Sequence, residues 1–106
     1  MSGANYSRRS FEAVLIDSQD AYKAPAAGQF YYVVNEAGEK VGLCSCLPNA
    51  GDHGEPSWGT TMFTGHGSPK HEWTWDGNVE KPTLHPSIHS VGNWHGWLQA
   101  GRFVSC

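Results

Sequence analysis

Charge is scarce in this chain: Asp, Glu, Lys and Arg make up 16% of its 106 residues. Seven Lys and Arg against ten acidic residues leave a formal net charge of −3, so the cationic footprint of a nucleic-acid-binding protein is missing. Long apolar runs are missing too. The longest, FYYVV at Phe30–Val34, has strand length and falls far short of the roughly 20 apolar residues of a membrane span. No charged-then-apolar leader opens the chain, and a soluble, cytoplasmic protein with no membrane partner is expected. Cysteine is limited to three residues, an odd number that argues against a disulfide framework in a reducing compartment. The familiar catalytic signatures are also missing: there is no GxSxG elbow, no Walker-type loop and no GxGxxG. The stretch TGHGSPK has glycines and a lysine without the phosphate-loop pattern. Ser-His-Asp or Cys-His nucleophilic chemistry therefore finds no support, and the sequence leans away from an enzyme.

What the chain does hold is 13 Gly, six Pro and five Trp, a mix that favours turns, short strands and aromatic packing over long helices. The first nine residues, MSGANYSRR, read as a mobile arm. SFEAVLID (Ser10–Asp17) reads as a strand and SQDAYKAPAAGQ (Ser18–Gln29) as a loop. QFYYVV and KVGLCSC flank NEAGE, where Gly38 lets the chain reverse into a hairpin. Pro48–Lys70 reads as a long Gly-rich loop with one short strand at TTMFT. HEWTWDGN turns at Asp76-Gly77, and the two prolines of VEKPTLHPSIHS limit that segment to an edge strand. A final hairpin pairs HGWLQ with RFVSC about Ala100-Gly101. The expectation is an all-β or mostly β domain over 10–106, a small sandwich or partly open barrel built of hairpins.

The constellation with the clearest chemistry is a metal site. Cys44 and Cys46 share a face if their segment is a strand, with Cα atoms roughly 6.5–7 Å apart. A rotamer choice or a bend at Ser45 brings two sulfurs to the separation tetrahedral zinc needs. In the terminal hairpin, a two-residue loop at Ala100-Gly101 sets Gln99 against Arg102, Leu98 against Phe103, Trp97 against Val104 and Gly96 against Ser105. His95 then faces Cys106, at a distance suited to two ligands of one ion. Cys44, Cys46, His95 and Cys106 together make a closed Cys3His set for Zn²⁺, structural because no position remains for water. The plainer alternative is that these cysteines are small buried hydrophobes.

Other groupings are weaker. LHPSIH places His85 and His89 four apart with His95 beyond, and a catalytic site of these with Glu80 or Asp76 competes with ordinary surface histidines. Trp75 and Trp97 are expected in the core. Trp58, with His53 and His66 from the Gly-rich segment, makes a candidate contact surface.

WTWDGNVEKPTLHPSI followed by WHGWLQAGRFVSC resembles a domain-of-unknown-function family of tailed phages and bacteria. Phage members of that family commonly carry the label ammonia monooxygenase. The resemblance covers Trp73–Cys106, and CSC is similar to the Cys-rich strand of bacterial members. It implies a small β domain with Cys and His zinc ligands, carried onto Cys44, Cys46, His95 and Cys106. It departs at His85, where members often have Ser, and at VGNW, which lacks a Cys found shortly before the His in bacterial members. The oxygenase label does not suit a chain without a membrane span, and thiolates favour closed zinc over oxygen activation. Bacterial members of the family occur beside ubiquitin-like modification genes. The expectation drawn from all this is a zinc-stabilised, non-enzymatic, phage-encoded module that binds a host protein. Its rivals are a zinc hydrolase with an open metal position and a virion or assembly component.

Overall fold

The structure, a computed structural model, describes residues 10–48, 56–90 and 94–105. Among these, nine strands form two sheets. They are β1 (Ser10–Glu12), β2 (Val14–Leu15), β3 (Gln29–Val34), β4 (Lys40–Leu47), β5 (Ser57–Met62), β6 (Thr74–Trp75), β7 (Leu84–Ser90), β8 (Trp94–Gln99) and β9 (Arg102–Ser105). One sheet has the order β1-β9-β8-β7-β6 and the other β2-β3-β4-β5. No helix among the described residues is long and apolar enough to cross a membrane.

The fold follows from side-chain alternation. Successive residues of a strand point to opposite faces, so Leu43 and Leu47 of β4 and Phe30 of β3 meet Leu84, Ile88, Leu98 and Phe103 of the other sheet in one core. Phe30, Leu43, Leu84, Leu98 and Phe103 are fully buried, each contributing about 1.5–3 kcal/mol of transfer free energy. The sheets therefore pack face to face as an open sandwich rather than closing into a barrel, which settles the two architectures the sequence left open.

Ser10–Asp17 is not one strand. β1 pairs antiparallel with β9, whereas β2 pairs parallel with β3 in the other sheet. Buried Ala13 marks the crossing: its N–H donates to the Gly101 carbonyl at 2.9 Å, and that of Val14 to the Gly28 carbonyl at 2.8 Å. Gly28 lies at φ +104° against the Glu12 carbonyl, where a Cβ would collide. The Gly-rich segment also holds more structure than expected, because β5 begins at Ser57 and pairs along β4 from Leu47 to Gly42. The terminal hairpin has the expected register: Gln99, Leu98, Trp97 and Gly96 face Arg102, Phe103, Val104 and Ser105. Its two loop residues both have positive φ, 47° at Ala100 and 79° at Gly101, the twist that suits a two-residue hairpin. Residues 1–9, read as an arm, lie outside the described residues.

Tyr32 ties the turn before β7 to the four-stranded sheet. Its hydroxyl donates to the carbonyls of Val79 (2.8 Å) and Asn78 (3.2 Å), and its ring lies 5.3 Å from that of Trp75. Burial, then the nearby Asp76 carboxylate, push the phenol up to about 12. Because the folded-state value lies above the unfolded value of about 10, this stabilisation is complete below about pH 10 and fades as pH climbs to about 12. Denaturant unfolding across that window should show a loss of stability in the wild-type protein that Tyr32→Phe, which has no phenol to ionise, lacks.

Candidate active site

Two residues more on β7 than on its neighbour build this site. Leu84 pairs with Leu98 and Ile88 with Gly96, so four steps along β7 match two along β8. Both Leu84 and Ile88 are held in the core, and the surplus bulges outward between them, a common device for aiming a side chain. The bulge contains the cis peptide His85–Pro86. Pro86, with no N–H to give a ladder, is accommodated there. The segment is thus not simply an edge strand, although β6 covers only Leu84 and His85. Beyond the bulge the alternation resumes, with Ile88 buried and His89 exposed. On β8, Trp94, Gly96 and Leu98 are buried while His95 is exposed and Trp97 half-buried. Ser87, His89, His95 and Trp97 accordingly share the outer face of the five-stranded sheet.

On that face the Ser87 hydroxyl lies 3.3 Å from His95 Nε2. With the ring proton on Nδ1, Nε2 accepts the serine hydroxyl hydrogen. The distance is long for an O–H···N hydrogen bond, and contacts of this kind tighten around substrate. His89 pairs directly with His95 across the ladder, their rings 4.7 Å apart and inclined by 34°. The Trp97 ring lies 6.3 Å from the imidazole, inclined by 30°. The Trp73 indole N–H donates to the Ser87 carbonyl at 3.2 Å, fixing the backbone that carries the hydroxyl. Behind the sheet, the Trp94 ring lies across Gly96, where a Cβ would meet both that ring and the Val104 carbonyl. The Trp94 indole N–H donates to the Ser105 hydroxyl at 2.9 Å. A hydroxyl held against a neutral imidazole is the arrangement that generates a serine nucleophile.

The expected metal set is not assembled among the described residues. No group of three His, Cys, Asp or Glu comes together there in a way that could hold an ion. Cys44 and Cys46 lie on β4, opposite in phase to the core residues Leu43 and Leu47, and so face outward from the four-stranded sheet. His95 faces outward from the other sheet, with the core between. Cys106 lies outside the described residues, as does His53. Cys44 and Cys46 are buried free thiols. Cys44 Sγ accepts from the Thr60 hydroxyl at 3.6 Å. Interactions with Cys44 and then Tyr22, together with burial, raise the Tyr31 phenol well above its usual range. Trp58 joins this group, its ring 5.2 Å from Tyr22 and 5.7 Å from Tyr31. His66 is exposed in the turn after β5. Of the two tryptophans expected in the core, Trp75 packs against it, stacked on Phe63 at 5.1 Å. Trp97 stands beside His95 instead. Asp76, which the sequence offers as a partner for the histidines, instead accepts from the N–H groups of Asn78 and Thr83 and organises its own turn.

Ser87 went unrecognised in the sequence because no elbow motif surrounds it. The available signal was a serine and a histidine eight positions apart in a segment that must reverse between them.

A half-buried serine hydroxyl within reach of an imidazole on the face of a β-sandwich is a grouping that serine hydrolase chemistry can use. The model of one family, the bacterial ubiquitination-like system serine protease (BubE), matches residues 17–106, and the chain belongs to that family. Comparison with curated proteins and with solved structures finds no match. The family corrects the leading expectation: a zinc-stabilised, non-enzymatic phage module gives way to a bacterial serine protease family, and the zinc-hydrolase alternative is left without support. The leaning away from an enzyme is overturned with it.

Burial, and secondarily Cys44, push the Cys46 thiol up, which makes it a poor nucleophile. Alkylation by iodoacetamide at neutral pH, read by mass spectrometry, should modify Cys46 at least about tenfold more slowly in the native protein than after unfolding.

Proposed function

We propose that this chain is a serine peptidase that cleaves peptide or isopeptide bonds joining a ubiquitin-like protein to its target. Ser87 is the nucleophile and His95 the general base. The observation that carries the reading is the 3.3 Å contact between Ser87 Oγ and His95 Nε2 in a chain of this family. Attack of Ser87 Oγ on the scissile carbonyl transfers the hydroxyl proton to His95 Nε2 as the C–O bond forms. The imidazolium then gives that proton to the leaving amine, the C–N bond breaks, and the acyl group remains on Ser87. Water, deprotonated by the same nitrogen, attacks the ester; the bond between Ser87 Oγ and the acyl carbon breaks, the imidazolium returns its proton to Oγ, and the acid leaves. His89, lying against the His95 ring, and Trp73, bonded to the Ser87 carbonyl, hold the pair in line. Free thiols at Cys44 and Cys46 support a reducing, cytoplasmic setting.

A fluorophosphonate probe should label Ser87 and nothing else, and labelling should disappear in Ser87→Ala. On a ubiquitin-like conjugate of the same system, Ser87→Ala and His95→Ala should each lower kcat/KM by roughly 10³-fold or more. Undiminished cleavage by Ser87→Ala overturns the assignment.

A further inference from the structure

Beyond β6, the outer edge of β7 beside the nucleophile has no strand paired to it among the described residues. In a two-residue hairpin the residues flanking the loop exchange both hydrogen bonds, so Gln99, Trp97 and His95 turn their backbone groups toward β9. Gly96 and Trp94 turn theirs toward β7, where they meet Ile88 and Ser90. The alternation leaves Ser87 and His89 with their N–H and C=O groups directed away from β8. Two observations agree with this phase. The Ala13 N–H reaches the Gly101 carbonyl on the far side of β9, and the Trp73 indole meets the Ser87 carbonyl on the open side of β7. β6 would have to continue past Thr74 to cover this edge. Instead the Trp73 backbone leaves for the other sheet, its N–H donating to the Met62 carbonyl and its carbonyl accepting from the Thr64 N–H, both at 2.9 Å. Among the described residues no strand runs beside 86–90 on that side, and Pro86 and His89 are exposed.

We infer that this edge is the substrate-docking strand, on which an extended peptide pairs its backbone with the N–H and C=O of His89 and so delivers its scissile carbonyl to Ser87. The inference rests on the serine peptidase reading and names its substrate class: an unfolded, strand-forming tail rather than a folded surface. An unpaired edge accepts extended peptides through main-chain bonds that need no particular side chain. His89 lies two residues from Ser87, roughly 6.5–7 Å along the strand, so a chain paired there reaches the hydroxyl within two of its own residues. The Trp73 indole already occupies the Ser87 carbonyl, leaving the His89 pair as the next available contact. The same residue would thus serve twice, its ring against His95 and its backbone against substrate.

The test compares two phosphonate inhibitors that react with Ser87, a tetra-alanyl diphenyl phosphonate and its single-residue alanyl counterpart. Alanine side chains leave backbone pairing as the main difference between them. In the wild-type protein and in His89→Ala, the tetrapeptide should inactivate about tenfold faster than the short compound, the effect of one or two main-chain hydrogen bonds. His89→Pro removes the outward N–H as well as the ring, and proline is tolerated where an edge N–H faces solvent. In that variant the tetrapeptide should lose its advantage, with circular dichroism confirming the fold. A tetrapeptide no faster than the short compound in the wild type, or equally favoured in His89→Pro, overturns the docking strand and leaves the nucleophile standing. Failure of both compounds and of a simple fluorophosphonate to label Ser87 overturns the peptidase reading and the docking strand with it.

Discussion

Leu84 and Ile88 are both committed to the core, yet the strand beside them allows only half the chain that separates them. The two surplus residues between these anchors have no partner on β8, and this misfit is what the rest of the site depends on. It breaks the line of β7, admits a proline where a ladder would refuse one, and brings a serine to the level of an imidazole on the next strand. Close packing makes the arrangement stiff, since a buried leucine moves only at the cost of its contacts. Buried apolar residues therefore set the reach of the Ser87 hydroxyl.

Much of the architecture could be read from the residues. Alternation and turn chemistry give the hairpins at Gly38 and Ala100-Gly101, and the loop length of the second fixes every described pair of β8 with β9. Elements shaped by tertiary contacts were harder. Ser10–Asp17 has the composition of one strand, but the collision of any Cβ at Gly28 and the bond from Ala13 to Gly101 depend on neighbours distant in sequence. β5 was longer than its composition suggested because it pairs with a buried strand along its full length, and pairing overrides weak local preference.

The site was legible only in part. His95 stood out, but the pairing expected with Cys106 drew it toward metal chemistry, although the deciding neighbour lies on β7. A serine carries no signature of its own, and with no α-helix among the described residues there is no strand–turn–helix elbow to announce it. Cys44 and Cys46 share a face as their spacing implies. That face is the one turned away from His95, a matter of which sheet covers which side and invisible to spacing alone. The outcome is a division of labour between two outer surfaces, one with the serine–histidine pair and the other with thiols among Tyr22, Tyr31 and Trp58.

The crossing at Ala13 has a mechanical meaning. One short stretch of chain is stitched to β9 on one sheet and to β3 on the other, with a buried methyl between the two seams. Neither sheet can peel from that margin without pulling on its partner. A sandwich held mainly by side-chain contact could slide or splay, whereas this one is laced along an edge. The lacing favours loss of both layers in a single cooperative step and keeps the serine-bearing face from loosening on its own.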